Sequence, residues 1–184
     1  MNIARPAQAG PSGTSARAFD ARPPSLVVGI GEFGVSDTAG TTIVTHALGS
    51  CVAVCVWDPT ARVGGILHFL LPDSRINPTR ASIQPATFAN TGIPRMFDAA
   101  QRLGLRKSRT IVYLVGGAEM ANDNGSGLFD VGKRNVLAAR RHCWQSDVLV
   151  RAECVGGTLV RTVRLMAADG QVLVTSGRDV IMQW

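Results

Sequence analysis

The chain is 184 residues long, 46% hydrophobic and 17% charged, a balance that can bury a core and excludes a largely disordered polypeptide. Its formal charge of +6 raises nucleic acid or an acidic protein surface as partners. Part of that surplus lies in Arg5, Arg17 and Arg22, and aromatics make up only 5%, so no base-stacking platform and no nucleic acid partner are expected.

Met1 to Pro24 is rich in Ala, Arg, Ser, Gly and Pro and lacks the apolar centre of a secretory signal. It reads as a disordered tail (1–24) ahead of a single domain (25–184). No later run approaches the roughly 18 apolar residues of a membrane helix, so no membrane insertion is expected. The four cysteines, Cys51, Cys55, Cys143 and Cys154, form no C-x-x-C pair, and the three histidines are scattered. Reduced thiols in a cytoplasm and no bound metal follow.

Leu26 to Ile30 reads as a first strand. Gly29-Ile30-Gly31-Glu32-Phe33-Gly34 matches G-x-G-x-x-G, but turn and strand residues follow where a dinucleotide site needs a helix, so it reads as a glycine-bearing bend. Thr42 to Leu48 is a second strand, broken at Gly49-Ser50. Cys51 to Trp57, apolar on both faces, is a third and belongs at the centre of a sheet. After a turn from Asp58 to Arg62, Val63 to Leu71 is a fourth, and these strands suggest a core built from hairpins.

Pro72 to Pro85 reads as a loop. The spacing of Phe88, Ile93, Met96, Phe97, Ala100 and Leu103 predicts one or two amphipathic helices, with Pro94 as a start or kink and Gly104 as a stop. Thr110 to Val115 is a strand, and Asn122 to Gly127 a polar loop without the ligand pattern of a calcium site. Asp130 caps a helix to Trp144, with Val131, Val136, Leu137 and Ala139 facing the core. Val148 to Val155, Leu159 to Met166 and Gln171 to Ser176 are strands separated by Gly156-Gly157 and Asp169-Gly170. The fold class is an α+β type sandwich of mixed, mostly antiparallel sheets packed with helices.

Chemistry concentrates where the second strand meets the third. Cys51 follows a tight turn, where backbone N–H groups of Cys51 and of Gly49-Ser50 can face a developing oxyanion. His68 shares a strand face with Gly64, Ile66 and Leu70, and Thr45 offers a hydroxyl that can orient an imidazole. A cysteine acts as thiolate with a histidine partner. Residue type alone leaves both open to a bland reading, since small buried cysteines and satisfied core histidines are common. Cys55, Cys143 and Cys154 read as packing residues, and His46 points away from Thr45.

Read together, Thr45-x-x-x-Gly49-Ser50-Cys51-Val52-Ala53-Val54, Trp57-Asp58-Pro59 and Gly64-Gly65-x-x-His68-Phe69-Leu70-Leu71-Pro72 resemble the chemoreceptor glutamine deamidase family of bacterial chemotaxis, CheD. Gly116-Gly117-Ala118-x-Met120, Val131-Gly132-x-Arg134-Asn135 and Gly156-Gly157 before Arg161 extend the resemblance from Leu26 to Ser176. It implies a cysteine-dependent protein-glutamine glutaminase that converts selected glutamines of methyl-accepting chemoreceptors to glutamate, with methylesterase activity in some members. The implied catalytic set is Cys51, His68 and Thr45, with Gly49 and Ser50 in the oxyanion turn and no cofactor. The implied partners are the receptors' cytoplasmic helices and a CheC-type response-regulator phosphatase, with the protein a monomer. Val160 replaces a second glycine the family usually places before the arginine, and Phe88 a common tyrosine. A non-catalytic adaptor on the same fold is the alternative.

Overall fold

The computed structural model describes residues 24–119 and 130–184. Met1 to Pro23 of the expected tail and the Asn122–Gly127 loop lie outside the described residues. The chain forms β1 (Ser25–Val27), β2 (Glu32–Ser36), β3 (Thr42–Leu48), β4 (Val52–Asp58) and β5 (Val63–Phe69). Helices α1 (Pro78–Ile83) and α2 (Ala89–Arg102) lead to β6 (Ile111–Gly116), and α3 (Val131–Gln145) to β7 (Val150–Val155). The chain closes with β8 (Arg161–Met166), β9 (Val172–Ser176) and β10 (Asp179–Gln183).

Two five-stranded sheets result, ordered β1-β3-β8-β9-β10 and β2-β5-β4-β6-β7. All pairings are antiparallel except β1 with β3 and β6 with β7, the latter joined through α3. The apolar-on-both-faces pattern of β4 and β5 has a direct cause, because the second sheet is covered twice. One face carries Val52, Val54, Leu67 and Phe69 against Ile93, Met96 and Phe97 of α2 and Val136 and Ala139 of α3. The other carries Ala53, Cys55 and Ile66 against Ile43, Val163, Leu165 and Val174 of the first sheet. The sandwich and its mostly antiparallel pairing are as the sequence led one to expect.

The second and third expected strands do not form a hairpin; they lie in opposite sheets, and the chain crosses between them through Gly49-Ser50-Cys51. The first expected strand, Leu26 to Ile30, ends earlier, at Val27 of β1, and the chain crosses to the other sheet before β2. Gly29–Gly31 is that crossing, with Gly31 at φ +74 and its N–H donating to the His68 carbonyl at 2.7 Å. The G-x-G-x-x-G letters therefore mark a sheet crossing, with β2 and no helix after them.

Pro72–Pro85 is more ordered than a loop. A 3-10 turn at Ser74–Ile76 precedes α1, where Asn77 accepts the Arg80 N–H and Pro78 takes the first helical position. Helix α2 begins five residues ahead of Pro94, which sits in its second turn. Gly104, at φ +99, ends it as expected, with Gly104 N–H bonded to Gln101 and Leu105 N–H to Ala100. Asp130 caps α3 by accepting the Lys133 N–H at 2.9 Å, also as expected. Leu137 departs from expectation: it is 53% exposed, and Asn135 takes the buried position beside Val136.

Asp58 ties the far end of β4 together. Fully buried, it accepts N–H bonds from Thr60, Ala61 and Arg106 and an ion pair from Arg109 at 2.7 Å. Burial pushes its carboxyl pKa up, and the Arg109 and backbone hydrogen bonds outweigh that to hold it at about 2. Because the folded pKa is depressed, the stabilisation is complete above the unfolded value near 3.8 and is lost as pH falls towards about 2. Asp58→Asn is expected to cost about 3 kcal/mol at neutral pH, the scale for breaking one side of a buried pair. Urea unfolding of both forms checks it, and the gap should close at acid pH.

Candidate active site

Thr45 lies on β3 just before a bulge in its pairing with β8, where the register shifts between Thr45 and Leu48. Ala47 in this bulge has φ +58, an uncommon conformation for a residue with a Cβ. The bulge turns His46 and Ala47 outward while Thr45 and Leu48 both point inward, and it steers the chain towards the other sheet. His46, expected to face away from Thr45, is exposed and lies 3.4 Å from the Thr162 hydroxyl.

The Thr45 hydroxyl donates to the backbone carbonyl of Val28 at 2.7 Å and lies 2.7 Å from His68 Nδ1. A hydroxyl has one proton, and the Val28 carbonyl can only accept. Thr45 must therefore accept from His68, which places the imidazole proton on Nδ1 and leaves a lone pair on Nε2. That Nε2 is buried and, among the described residues, has no hydrogen-bond partner. Burial pulls the His68 pKa down to about 4, so the ring is neutral at physiological pH. A neutral imidazole with a free lone pair is a proton acceptor.

Register places the thiol on the same side. Ala53 pairs with His68 across β4 and β5, and Cys51, two residues earlier, joins Ala53 and Cys55 in the cluster between the sheets. Cys51 and His68 are thus diagonal neighbours on one sheet face. Burial raises the Cys51 thiol pKa, a hydrogen bond from its own N–H opposing this, so the sulfur rests protonated at neutral pH. The Gly49 N–H is engaged by the Ala47 carbonyl at 3.0 Å, whereas Ser50 and Cys51 donate to no backbone carbonyl among the described residues.

The turn before Cys51 is held from behind by groups whose part residue type did not reveal. Asn135 of α3, fully buried, donates Nδ2 to the Ser50 carbonyl at 2.9 Å and to the Leu70 carbonyl at 2.8 Å. One amide thereby joins the turn before Cys51 to the strand end after His68. Gly117 and Ala118 donate to the Cys51 and Gly49 carbonyls at 2.7 and 2.8 Å. A Cβ on Gly116, at φ +116, would lie 2.3 Å from the Cys51 carbonyl oxygen, so only glycine admits this approach. Arg161 fixes the neighbouring Gly156–Gly157 turn by donating to the carbonyls of Gly156 and Leu159. Val28 and Asn135 are the members of this arrangement that residue type did not flag: the first takes part through its backbone, and the second reads as an ordinary polar helix position. Its only signal was its place in the Val131-Gly132-x-Arg134-Asn135 block.

The other cysteines sit apart from this arrangement. Burial pushes Cys55 and Cys143 each up to about 12, and Cys154 is half-buried on β7. Among the described residues, no group of three or more His, Cys, Asp or Glu side chains converges to hold a metal, and no helix is long and apolar enough to cross a membrane.

Comparison with known proteins adds a lineage to this geometry. The family model for CheD, chemotactic sensory transduction, matches residues 70–176. A protein of Anaeromyxobacter dehalogenans named probable chemoreceptor glutamine deamidase CheD 2 is 48% identical over 84% of this chain and 96% of its own. A Syntrophus aciditrophicus protein named probable chemoreceptor glutamine deamidase CheD 1 is 42% identical over 82% and 93%, respectively. A Solibacter usitatus protein with the corresponding name is 40% identical over 80% and 86%. A solved structure from Neisseria meningitidis aligns at a TM-score of 0.41 and 12% identity, over 73% of this chain and 63% of that one.

Proposed function

The chain belongs to the CheD family, and from that membership we propose that it is a chemoreceptor glutamine deamidase with Cys51 as nucleophile, His68 as acid and base, and Thr45 as the residue that orients His68. The kinship supports the substrate. The chemistry rests on one observation, the unpartnered Nε2 of His68 on the face it shares with Cys51.

The Cys51 thiol gives its proton to His68 Nε2 as the sulfur attacks the side-chain carboxamide carbon of a receptor glutamine. The N–H groups of Ser50 and Cys51 receive the tetrahedral oxyanion, each such donor being worth about 3–4 kcal/mol. The same proton then passes from Nε2 to the departing nitrogen, releasing ammonia and leaving a thioester. His68 next takes a proton from water, hydroxide adds to the thioester, and the thiol is reprotonated as glutamate leaves. Because the ring is neutral before attack, it can act as a base without first losing a proton. A thioester route also serves a glutamate methyl ester, so the methylesterase activity stays within the proposal. The family resemblance supports a CheC-type phosphatase partner and a monomeric state, and the scattered, unpaired cysteines support a cytoplasmic location.

Incubating a chemoreceptor cytoplasmic domain with the protein should add about 1 Da per modified glutamine, with one ammonia released for each. Tandem mass spectrometry locates the sites. No mass gain on any receptor domain, with the protein demonstrably folded, would overturn the deamidase reading.

A further inference from the structure

Beside the site, a cavity of about 500 Å³ lies between α3 and the segment that follows β5. Its α3 wall is a single helical stripe, Arg134, Leu137, Ala138, Arg141 and His142. Its other wall carries Pro72, Asp73, Arg75 and Ile76. Leu137 and Ile76 are 53% and 50% exposed, which leaves apolar surface on both sides. Asp73, the single carboxylate in the lining, is occupied by Arg75 at 2.7 Å. Arg134 and Arg141 are exposed, and among the described residues neither makes an ion pair. The surface is therefore an apolar groove rimmed with uncommitted guanidinium groups.

The groove is also continuous with the catalytic turn. Asn135, adjacent to Arg134 on α3, is the side chain that holds the Ser50 and Leu70 carbonyls, and Leu70 leads directly into Pro72 and Asp73. The turn before Cys51 and the wall of the groove are thereby joined through adjacent residues of α3.

We propose that the groove between α3 and Pro72–Ile76 docks the acidic flank of the substrate, an amphipathic helix whose carboxylates pair with Arg134 and Arg141 and whose apolar side chains rest on Leu137 and Ile76. This rests on the deamidase reading above and adds to it the basis of substrate selection: glutamines within acidic helices are taken in preference to glutamines elsewhere. Arginine suits the task because its planar fork pairs with a carboxylate through two hydrogen bonds.

The test separates docking from chemistry by measuring binding without turnover. In a Cys51→Ala background, the affinity for a chemoreceptor cytoplasmic domain is measured for the parent, for Arg134→Glu/Arg141→Glu, and for Arg151→Glu/Arg178→Glu. The last pair makes the same charge change on exposed residues elsewhere. The groove pair is expected to weaken binding about tenfold or more and to flatten its salt dependence, while the remote pair stays within about twofold. Equal weakening by both pairs, no weakening by the groove pair, or no binding by the parent would each overturn the docking proposal. Groove-dependent binding by a protein whose wild type never deamidates would overturn the deamidase reading and leave the docking surface standing.

Discussion

Replacing Cys51 by alanine is expected to reduce receptor deamidation by at least about 10⁴-fold, the scale set by removing the nucleophile of a covalent hydrolase. The fold should survive. Cys51 is 7% exposed on a turn held by backbone bonds to Gly117 and Ala118, and none of those bonds involves the sulfur. The lost packing is worth about 1 kcal/mol, so the thermal midpoint moves by only a few degrees. Cys51→Ser is expected to be nearly as inactive, because a neutral histidine that can deprotonate a thiol is a poor match for a far less acidic hydroxyl. Cys55→Ala and Cys143→Ala are the controls. Burial pushes both thiols up to about 12, so neither supplies thiolate at neutral pH, and turnover per folded molecule should be unchanged. Iodoacetamide should label Cys51 faster than Cys143 in the native protein. Deamidation retained by Cys51→Ala would end the thiol mechanism whatever the labelling rates.

Where a segment's structure is set by local chemistry, it was legible in the sequence. The Asp130 cap, the Gly104 stop and the doubly apolar run of β4 follow from backbone satisfaction and burial, which depend on neighbouring residues. Thr45, Cys51 and His68 could be picked as types in suggestive positions, and the resemblance to the deamidase family supplied the reason to group them. What the sequence did not reveal depends on the third dimension. Periodicity shows that β3 and β4 are strands, but it carries no information on whether a glycine-serine break is a hairpin or a crossing between sheets. The first strand is shorter than the expected Leu26 to Ile30 for the same reason, since Gly29 and Gly31 look alike in a bend and in a crossing. Leu137 was placed inside by hydrophobicity, while Asn135 took the buried site because two carbonyls, from Ser50 and Leu70, needed a donor there. Helix α1 is hidden in the sequence because its six residues carry no apolar stripe, and only Asn77 followed by Pro78 marks its start. Val28 contributes only a carbonyl, which no side-chain pattern can announce.

That carbonyl makes Thr45 the sharpest test of the site. Thr45→Val keeps the shape of the side chain and removes the hydroxyl, leaving the Val28 carbonyl and His68 Nδ1 unpaired in a fully buried place. Each buried group left unsatisfied costs about 1–3 kcal/mol, so some stability is lost. The larger consequence is chemical. Without Thr45 as acceptor, nothing holds the imidazole proton on Nδ1, and a ring that carries it on Nε2 presents a donor to Cys51 where a lone pair is required. Wrong-tautomer variants of serine proteases lose about 10⁴ in kcat, and a loss of about 10²–10⁴ with KM little changed is expected here. Thr45→Ser keeps the hydroxyl and gives up one methyl group, so it should stay within about tenfold of wild type. The two substitutions rank in opposite order under the two explanations. If Thr45 served only to fill space on a β-strand, valine, its near-isostere, would be the benign replacement and serine the damaging one. A Thr45→Val enzyme that outperforms Thr45→Ser in kcat would remove Thr45 from the catalytic set and, with it, the reason for assigning the lone pair to Nε2.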